Sequence, residues 1–280
     1  MKCEIFLPEE IKGEVKQILP LGGGCIADVK KIIMQDGRKI LYKIYSRTII
    51  SETEANGLKE ISKSGAIRVP KVIYSNKNIL ITEFIESGSK IKNTYSDFGK
   101  NFAKMHKYYS EYFGFYEDNF IGETPQKNLP KNSSWTEFYF TNRLLFQIKL
   151  AEKNGYLSKE LKNSFEKLER RIDSIILDEG QASLLHGDLW SGNYIVDENG
   201  NACLIDPAVY YGNREADLAM TKLFGGFPPE FYHAYNQEYP LQEGYLFREN
   251  IYKLYHILNH LNLFGYGYYS QALGIIKSYI

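Results

Sequence analysis

Short runs of alternating apolar and polar residues fill the first 85 or so positions: VKQILPL, ADVKKIIMQ, RKILYKIYS, KVIYS and NILITEFIE. Each has strand length and a period of two, and Gly, Asn or Asp breaks separate them. One helix interrupts the series, over about Ser51 to Lys63, with Ala55, Leu58 and Ile61 on one side. Past residue 90 the period becomes helical. YSDFGKNFAKMHKYY sets Phe98, Phe102, Met105 and Tyr109 on one face. SKELKNSFEKLERRIDSIIL does the same with Leu161, Phe165, Leu168, Ile172 and Ile175, behind Ser158 as N-cap. FRENIYKLYHILNHLNLF repeats the pattern with Phe247, Ile251, Leu254, Leu258 and Leu261. The exception in this half is HGDLWSGNYIVDENGNACLID, residues 186 to 206. There YIVD and ACLID read as strands, and ENGN carries the Asn-Gly signal of a tight turn. The pattern predicts an α+β chain of two lobes: a small antiparallel-sheet lobe over residues 1–86 and a larger helical lobe over 87–280, joined near residues 83 to 88.

That hairpin turns a spacing into a geometry. Asn193 at its start and Asp206 at its finish come side by side, five residues and one hairpin away from Asp188. Phosphoryl transfer needs these groups. The transferred phosphoryl passes through a loose transition state, so the protein positions reactants and neutralises charge together with Mg²⁺. Asp188 can accept the proton of a substrate hydroxyl. Asn193 and Asp206 supply the oxygen ligands that Mg²⁺ takes while it keeps several waters.

Composition narrows the partners. Thirty-four basic and 34 acidic side chains balance over 280 residues, which argues against an electrostatic grip on nucleic acid or an anionic membrane. No run of 18 apolar residues occurs, and MKCEIFLPEEIKGEVKQ does not read as a signal peptide. Cys3, Cys25 and Cys203 lack metal-ligand spacing and read as reduced thiols of a cytoplasmic protein. His256 and His260 lie four apart on one helix without a third ligand, so no metal site is expected there. His106 and His260 read as core groups.

Protein kinases use His-Arg-Asp-x₄-Asn, then a hairpin and Asp-Phe-Gly. Here the series is His-Gly-Asp-x₄-Asn, then Ile-Asp-Pro. It resembles the protein-kinase-like small-molecule phosphotransferases, which include aminoglycoside, choline and homoserine kinases. The flanks narrow it further. LLHGDLWSGN, IDPAVYYGNREADLAMTKLFGGF, GFYEDNFIGETPQKN, WTEFYFTNRLLFQIKLAEKNG and LYHILNHLNLFG together resemble the fructosamine kinase (ketosamine-3-kinase) family from about residue 4 to the C-terminus.

The resemblance implies a protein-kinase-like fold, ATP and Mg²⁺ as cofactors, and phosphorylation of a ketosamine at its third carbon, after which the adduct releases its amine. A lysine must then hold the nucleotide phosphates and a glutamate must hold that lysine. Lys43, mid-strand and opposite Tyr42 and Ile44, is the candidate; Lys39, at the turn DGRK, is the competitor. Glu52 and Glu54 are both available as its partner, and the family pattern E-A-x-G-L selects Glu54. Gly22, Gly23 and Gly24 precede the lysine strand, where backbone N–H groups can approach phosphates. Asp28 departs from the pattern by placing a negative charge nearby. The backbone of Glu83, Phe84 and Ile85 would bind adenine. Asp217 and His186 support and orient the catalytic loop. Trp190, Phe224, Phe227, Trp135 and Arg143 are candidate contacts to the ketosamine. Cys25, in a loop that favours anions, is a candidate redox switch. A monomer or a homodimer fits equally. An aminoglycoside-type or choline-type phosphotransferase is the alternative enzyme. A nucleotide-binding regulatory module is the alternative class, disfavoured by the intact set of Lys43, Glu54, Asp188, Asn193 and Asp206.

Overall fold

The computed structural model describes residues 6–9, 11, 13–22, 27–46, 49–178 and 180–280. Strands β1 (Val15–Leu21), β2 (Ala27–Met34), β3 (Lys39–Tyr45), β4 (Val72–Ser75) and β5 (Ile79–Glu83) form one antiparallel sheet in the order β1-β2-β3-β5-β4. Alternation along β3 divides its side chains between two cores. Ile40 and Tyr42 join Ile32, Met34 and Ile81 on one face. Tyr45 joins Leu80 on the other, beneath Ile50, Ala55 and Leu58 of helix α1 (Ile50–Lys63). Lys43 shares the parity of Tyr45 and so points to the face that α1 covers.

The second half contains α2 (Thr94–Met105), β6 (Tyr109–Ser110), β7 (Asn119–Ile121), β8 (Thr124–Gln126) and α3 (Trp135–Tyr139). A π-helical stretch, Phe140–Leu145, carries α3 into α4 (Phe146–Lys153). There follow α5 (Lys159–Glu169), α6 (Ile172–Ile175), β9 (Ala182–Leu185), β10 (Tyr194–Val196), β11 (Ala202–Leu204) and β12 (Tyr210–Gly212). Helices α7 (Glu215–Thr221), α8 (Pro229–Glu238), α9 (Tyr245–Phe264) and α10 (Tyr269–Lys277) close the chain. No helix among the described residues is long and apolar enough to cross a membrane.

The helical half holds more strand than its periodicity suggests. Besides the hairpin β10–β11 there is a three-stranded sheet, β12-β9-β6, and a second hairpin, β7–β8. These strands are two to four residues long, too short to show a period. Tyr109, read as helical, opens β6 and is exposed, because α2 ends at Met105. The run from Lys159 to Ile175 breaks between α5 and α6, although Leu161, Phe165, Leu168, Ile172 and Ile175 all remain in the core. Ser158 caps α5 by accepting from the Leu161 N–H at 3.1 Å. Phe247 lies in α9 but faces solvent.

The large core forms where α2 crosses α8. Phe98 and Phe102 of α2 meet Phe231 and Tyr235 of α8 edge-on or tilted, with ring centroids 4.9 to 6.1 Å apart. Gly99 sets the approach: a Cβ there would lie 2.0 Å from the Phe231 carbonyl oxygen. Gly99→Ala should therefore cost about 1–3 kcal/mol, despite alanine's better helix propensity. Thermal unfolding of the variant checks this, and a midpoint equal to or above the parent's would mean that the two helices can part freely.

Candidate active site

Three segments converge on Lys43. Its Nζ lies 2.8 Å from Glu54 Oε1 of α1 and also bonds Asp206 Oδ1, from beyond β11. The other Glu54 oxygen accepts from the Tyr45 hydroxyl. Tyr45 stands two residues from Lys43 on the same strand face, so strand period alone could have nominated it. Glu54 rather than Glu52 meets the lysine. Lys39 instead pairs with Glu86 at 2.5 Å on the surface. Burial pulls the Lys43 ammonium toward the neutral form, but the Glu54 and Asp206 charges overcome it and hold its pKa well above the ordinary value.

The hairpin delivers Asp206 to this point. Tyr194 pairs with Leu204 and Val196 with Ala202. Just outside the ladder, the Ile205 N–H donates to the Asn193 carbonyl at 3.0 Å. The turn differs from a two-residue Asn-Gly turn. Gly200 alone takes a positive φ, 83°, while Asp197 Oδ1 accepts from the N–H groups of Asn199 and Asn201, both at 2.9 Å. Asp197 also receives the Arg68 guanidinium at 2.7 Å, which ties the hairpin tip to the chain ahead of β4.

Asp188 lies half-buried on the loop leading into the hairpin. Asn193 Nδ2 donates to the Asp188 carbonyl at 2.7 Å and to its Oδ2 at 3.2 Å. The same contact points the Asn193 oxygen away from Asp188, and no described residue hydrogen-bonds it. Burial, reinforced by the Asp206 and Asp217 charges and opposed by the Asn193 amide, pushes the Asp188 carboxyl well above the ordinary carboxylate range.

The loop is held from below. Asp217 accepts from the backbone N–H groups of His186 at 2.6 Å and Gly187 at 2.8 Å, and its Oδ2 meets His106 Nε2 at 3.2 Å. His186 bridges two segments, since its Nδ1 accepts from the Asp188 N–H and its Nε2 donates to the Ile205 carbonyl. That pattern requires the neutral tautomer, and burial lowers the His186 pKa accordingly. Gly187 has φ 83°, and a Cβ there would sit 2.0 Å from the Ala208 carbonyl oxygen. The glycine is required both by conformation and by space. His106, expected in the core, is buried between Asp217 and Tyr235. His260 is half-buried among Phe224, Phe264 and Tyr268.

At the junction between the lobes, the Glu83 N–H is bound to the Lys71 carbonyl and the Phe84 N–H to the Lys39 carbonyl. Ile85 is buried and makes no backbone hydrogen bond to a described residue. Gly22 follows β1 and is open to solvent, whereas Gly23, Gly24 and Cys25 lie outside the described residues. Cys203 is buried, and burial pushes its thiol up to about 12.

The aromatic candidates divide sharply. Trp190 is 36 % exposed and Phe224 39 %, with their rings edge-to-face at 5.8 Å. Trp135 is 1 % exposed, packed on Phe113, Phe138 and Tyr139 and hydrogen-bonded to Tyr252. Arg143 is fully buried, its guanidinium 4.0 Å above the Tyr210 ring and bonded to Lys127 O and Asn128 Oδ1. Phe227 fills the core between Phe98 and Phe231. These three are packed inside the lobe, whereas Trp190 and Phe224 keep exposed faces.

Asn193 and Asp206 fit a Mg²⁺ ion, with the free Asn193 oxygen and the half-exposed Asp206 carboxylate as hard donors. Among the described residues no three His, Cys, Asp or Glu cluster as a metal cage. A two-ligand site of this kind suits an ion whose remaining ligands are phosphates and water.

The fructosamine kinase family model matches residues 7–280. A probable ketoamine kinase of Enterococcus faecium is 37% identical over 94% of this chain and 95% of its own length. The chloroplastic protein-ribulosamine 3-kinase of Arabidopsis thaliana is 36% identical over 99% of this chain and 86% of its own. A crystal structure from Thermobifida fusca, named for fructosamine-3-kinase, superposes with a TM-score of 0.87 at 30% identity, covering 95% of this chain and 94% of that one. An aminoglycoside phosphotransferase solved with gentamicin reaches 0.61 at 14% identity, covering 96% of this chain and 90% of its own, a likeness of fold alone. The α+β, two-lobed architecture is thus protein-kinase-like.

The raised Asp188 pKa makes a stability prediction. The folded state holds this proton more tightly than the unfolded chain does. The associated stability is therefore complete below the unfolded value of about 3.9 and is lost as pH rises through the folded value. Asp188→Asn carries no titrating group. In metal-free buffer it should melt above the parent at pH 8, with the gap closing toward pH 4. A parent that melts higher at pH 8 would show that the carboxylate is not destabilised where it sits.

Proposed function

The chain belongs to the fructosamine kinase family, and we propose on that premise that it is an ATP-dependent kinase that phosphorylates ketosamines on the hydroxyl of the third carbon. The phosphorylated adduct then becomes unstable and releases its amine. The observation that carries the reading is Lys43, buried and held between Glu54 and Asp206 beside the half-buried Asp188. Lys43 holds the α- and β-phosphates, and Glu54 keeps it in place. The Ile85 N–H meets the adenine edge. Asn193 and Asp206 hold Mg²⁺, which supplies charge neutralisation on the phosphates. Asp188 orients the attacking hydroxyl and takes its proton. Asn193 keeps Asp188 aimed and the two roles in register. Trp190 and Phe224 form the wall against which the sugar and its often cationic amine rest. The amine is free or borne on a protein, and the site of action is the cytoplasm.

The protein-kinase-like core also serves aminoglycoside phosphotransferases, so the acceptor is the open choice. An aminoglycoside carries several ammonium groups and would need several carboxylates beside the cleft. The described surface near Trp190 and Phe224 is aromatic and supports a ketosamine instead.

Mg²⁺-dependent ADP release should appear with ribulosamine or fructosamine adducts of lysine and be absent with kanamycin-type polyamines. The reverse result would promote an aminoglycoside acceptor. Trp190→Ala should raise KM for the adduct more than KM for ATP.

Asp188→Asn should lower turnover by roughly 10²- to 10⁴-fold while nucleotide binding persists. Full activity in this variant would remove Asp188 from the role of base. Asp206→Asn should weaken Mg²⁺-dependent nucleotide binding, and calorimetry of Mg²⁺·ADP binding measures it directly.

A further inference from the structure

The stretch GFYEDNFIGETPQKN forms the hairpin β7–β8, which phosphoryl transfer as described does not use. Its polar side chains nevertheless point into the protein. Asn119, Gln126 and Asn128 are all buried, Gln126 to 1 % exposure. Asn119 Nδ2 donates to the Val209 carbonyl at 2.7 Å, and Gln126 Nε2 donates to the Ala208 carbonyl at 2.9 Å. Gln126 Nε2 and Asn128 Nδ2 both donate to Asn119 Oδ1, at 2.9 and 3.0 Å. The Tyr255 hydroxyl donates to Gln126 Oε1 at 2.8 Å, and Arg143 to Asn128 Oδ1 at 2.8 Å. Each amide therefore has its orientation fixed by a donor behind it. The network ends on two consecutive backbone carbonyls.

Those carbonyls follow Asp206 by two and three residues. Asp206 has φ 54°, the left-handed region that a non-glycine residue keeps only where its surroundings over-determine it. On its N-terminal side the backbone is held by the Ile205 N–H to Asn193 and by His186 to the Ile205 carbonyl. On its C-terminal side are the Ala208 N–H to the His186 carbonyl and the two bonds from the hairpin. Release of Ala208 and Val209 would let residues 206–209 relax and turn the Asp206 carboxylate away from Lys43.

We propose that Gln126 and Asn119 are positioning residues for phosphoryl transfer: by fixing the Ala208 and Val209 carbonyls they hold Asp206 in the conformation that presents its carboxylate to Lys43 and the metal. The inference rests on the reading of Asp206 as a Mg²⁺ ligand. It makes the segment after Asp206 a fixed strut that is in place before any nucleotide arrives.

Gln126→Met tests it, since methionine keeps the length and loses both polar ends. Tyr255→Phe is the milder companion, removing the hydroxyl that orients the Gln126 amide and also meets Gln147. Hydrogen exchange without metal or nucleotide should show faster exchange in peptides spanning 205–211, with β3 and α2 unchanged. Affinity for Mn²⁺·ADP should fall by about tenfold or more, as supporting residues of metal ligands do. Turnover should fall while KM for the ketosamine holds. Tyr255→Phe should shift the same quantities in the same direction by less.

Unchanged exchange over 205–211 and unchanged Mn²⁺·ADP affinity in a folded Gln126→Met would overturn the proposal, whatever its melting point. If Gln126→Met does not fold, the same two null results in Tyr255→Phe do so. Asp206→Asn separates the underlying assumption. Parent-like Mn²⁺·ADP affinity in that variant would remove the metal role, and with it the catalytic part of the proposal. The exchange readout would still decide whether Gln126 holds the segment.

Discussion

A lysine ammonium buried between two carboxylates from distant parts of the chain sets the terms for everything around it. Lys43 can stay charged beneath α1 only because Glu54 and Asp206 both reach it. Removal of either partner would leave a charge with its desolvation uncompensated, the costly half of a buried ion pair. The sheet, helix α1 and the hairpin β10–β11 therefore cannot choose their positions independently. Tyr45 adds a constraint by occupying the second Glu54 oxygen, so that the carboxylate has one orientation.

Helix α1 is fastened to the same segment at two further places. Its Gly57 lies so close to Pro207 and Val209 that a Cβ would stand 3.3 and 3.2 Å from their side chains. One turn on, Glu60 accepts from the Tyr211 hydroxyl at 2.7 Å. Asn56 reaches Glu117, just ahead of β7, at 2.9 Å. The glycine in E-A-N-G-L thus has a packing reason: it lets the helix that carries Glu54 rest on the chain that follows Asp206. A Cβ at that position would be tighter than ordinary contact, so Pro207 and Val209 would have to give by a few tenths of an ångström beneath the helix that carries Glu54. The ion pair and the close approach are two descriptions of one fit.

Much of this was legible in the sequence because local signals coincided with tertiary ones. The hairpin is announced by apolar runs on either side of Asn-Gly, and Lys43 stands out as a charge in the middle of an otherwise apolar strand. The failures have a common physical origin. Trp135 and Arg143 share a helical segment near an aromatic string and look like pocket residues. What puts them inside is the meeting of that segment with α9 and β12, through Tyr252, Tyr255 and Tyr210. No local pattern encodes such a meeting. An arginine normally reads as surface, yet three aromatic faces and three carbonyl-type oxygens accompany this one into the interior. The amides of Asn119 and Gln126 draw no reading from the sequence for the same reason, since the Val209 and Ala208 carbonyls that they satisfy lie about 80 to 90 residues away.

The division between what is fixed and what is free follows from the same geometry. Lys43, Glu54, Asp206 and the backbone beneath Asp188 are bound to one another by charge, by buried amides and by glycines without room for a Cβ. A change at any of them is felt at the others. Among the described residues, no ion pair or buried amide ties the side chains of Trp190 and Phe224 to that centre. Their rings meet edge-to-face, about a third of each remains in solvent, and the Trp190 ring lies over Gly192, where an added Cβ would come within 2.4 Å. An acceptor resting at this rim, as proposed, could vary without disturbing the centre, in keeping with one fold serving unrelated acceptors. The aminoglycoside phosphotransferase structures share that centre's fold at 14% identity. A fold match at that level leaves the acceptor undecided, and the side chains beside Asp188 must decide it. On the proposed reading, in which Trp190 and Phe224 form the acceptor wall, an indole and a phenyl ring over a half-buried histidine would favour a single cation with an apolar body over a cluster of strongly hydrated ammonium groups.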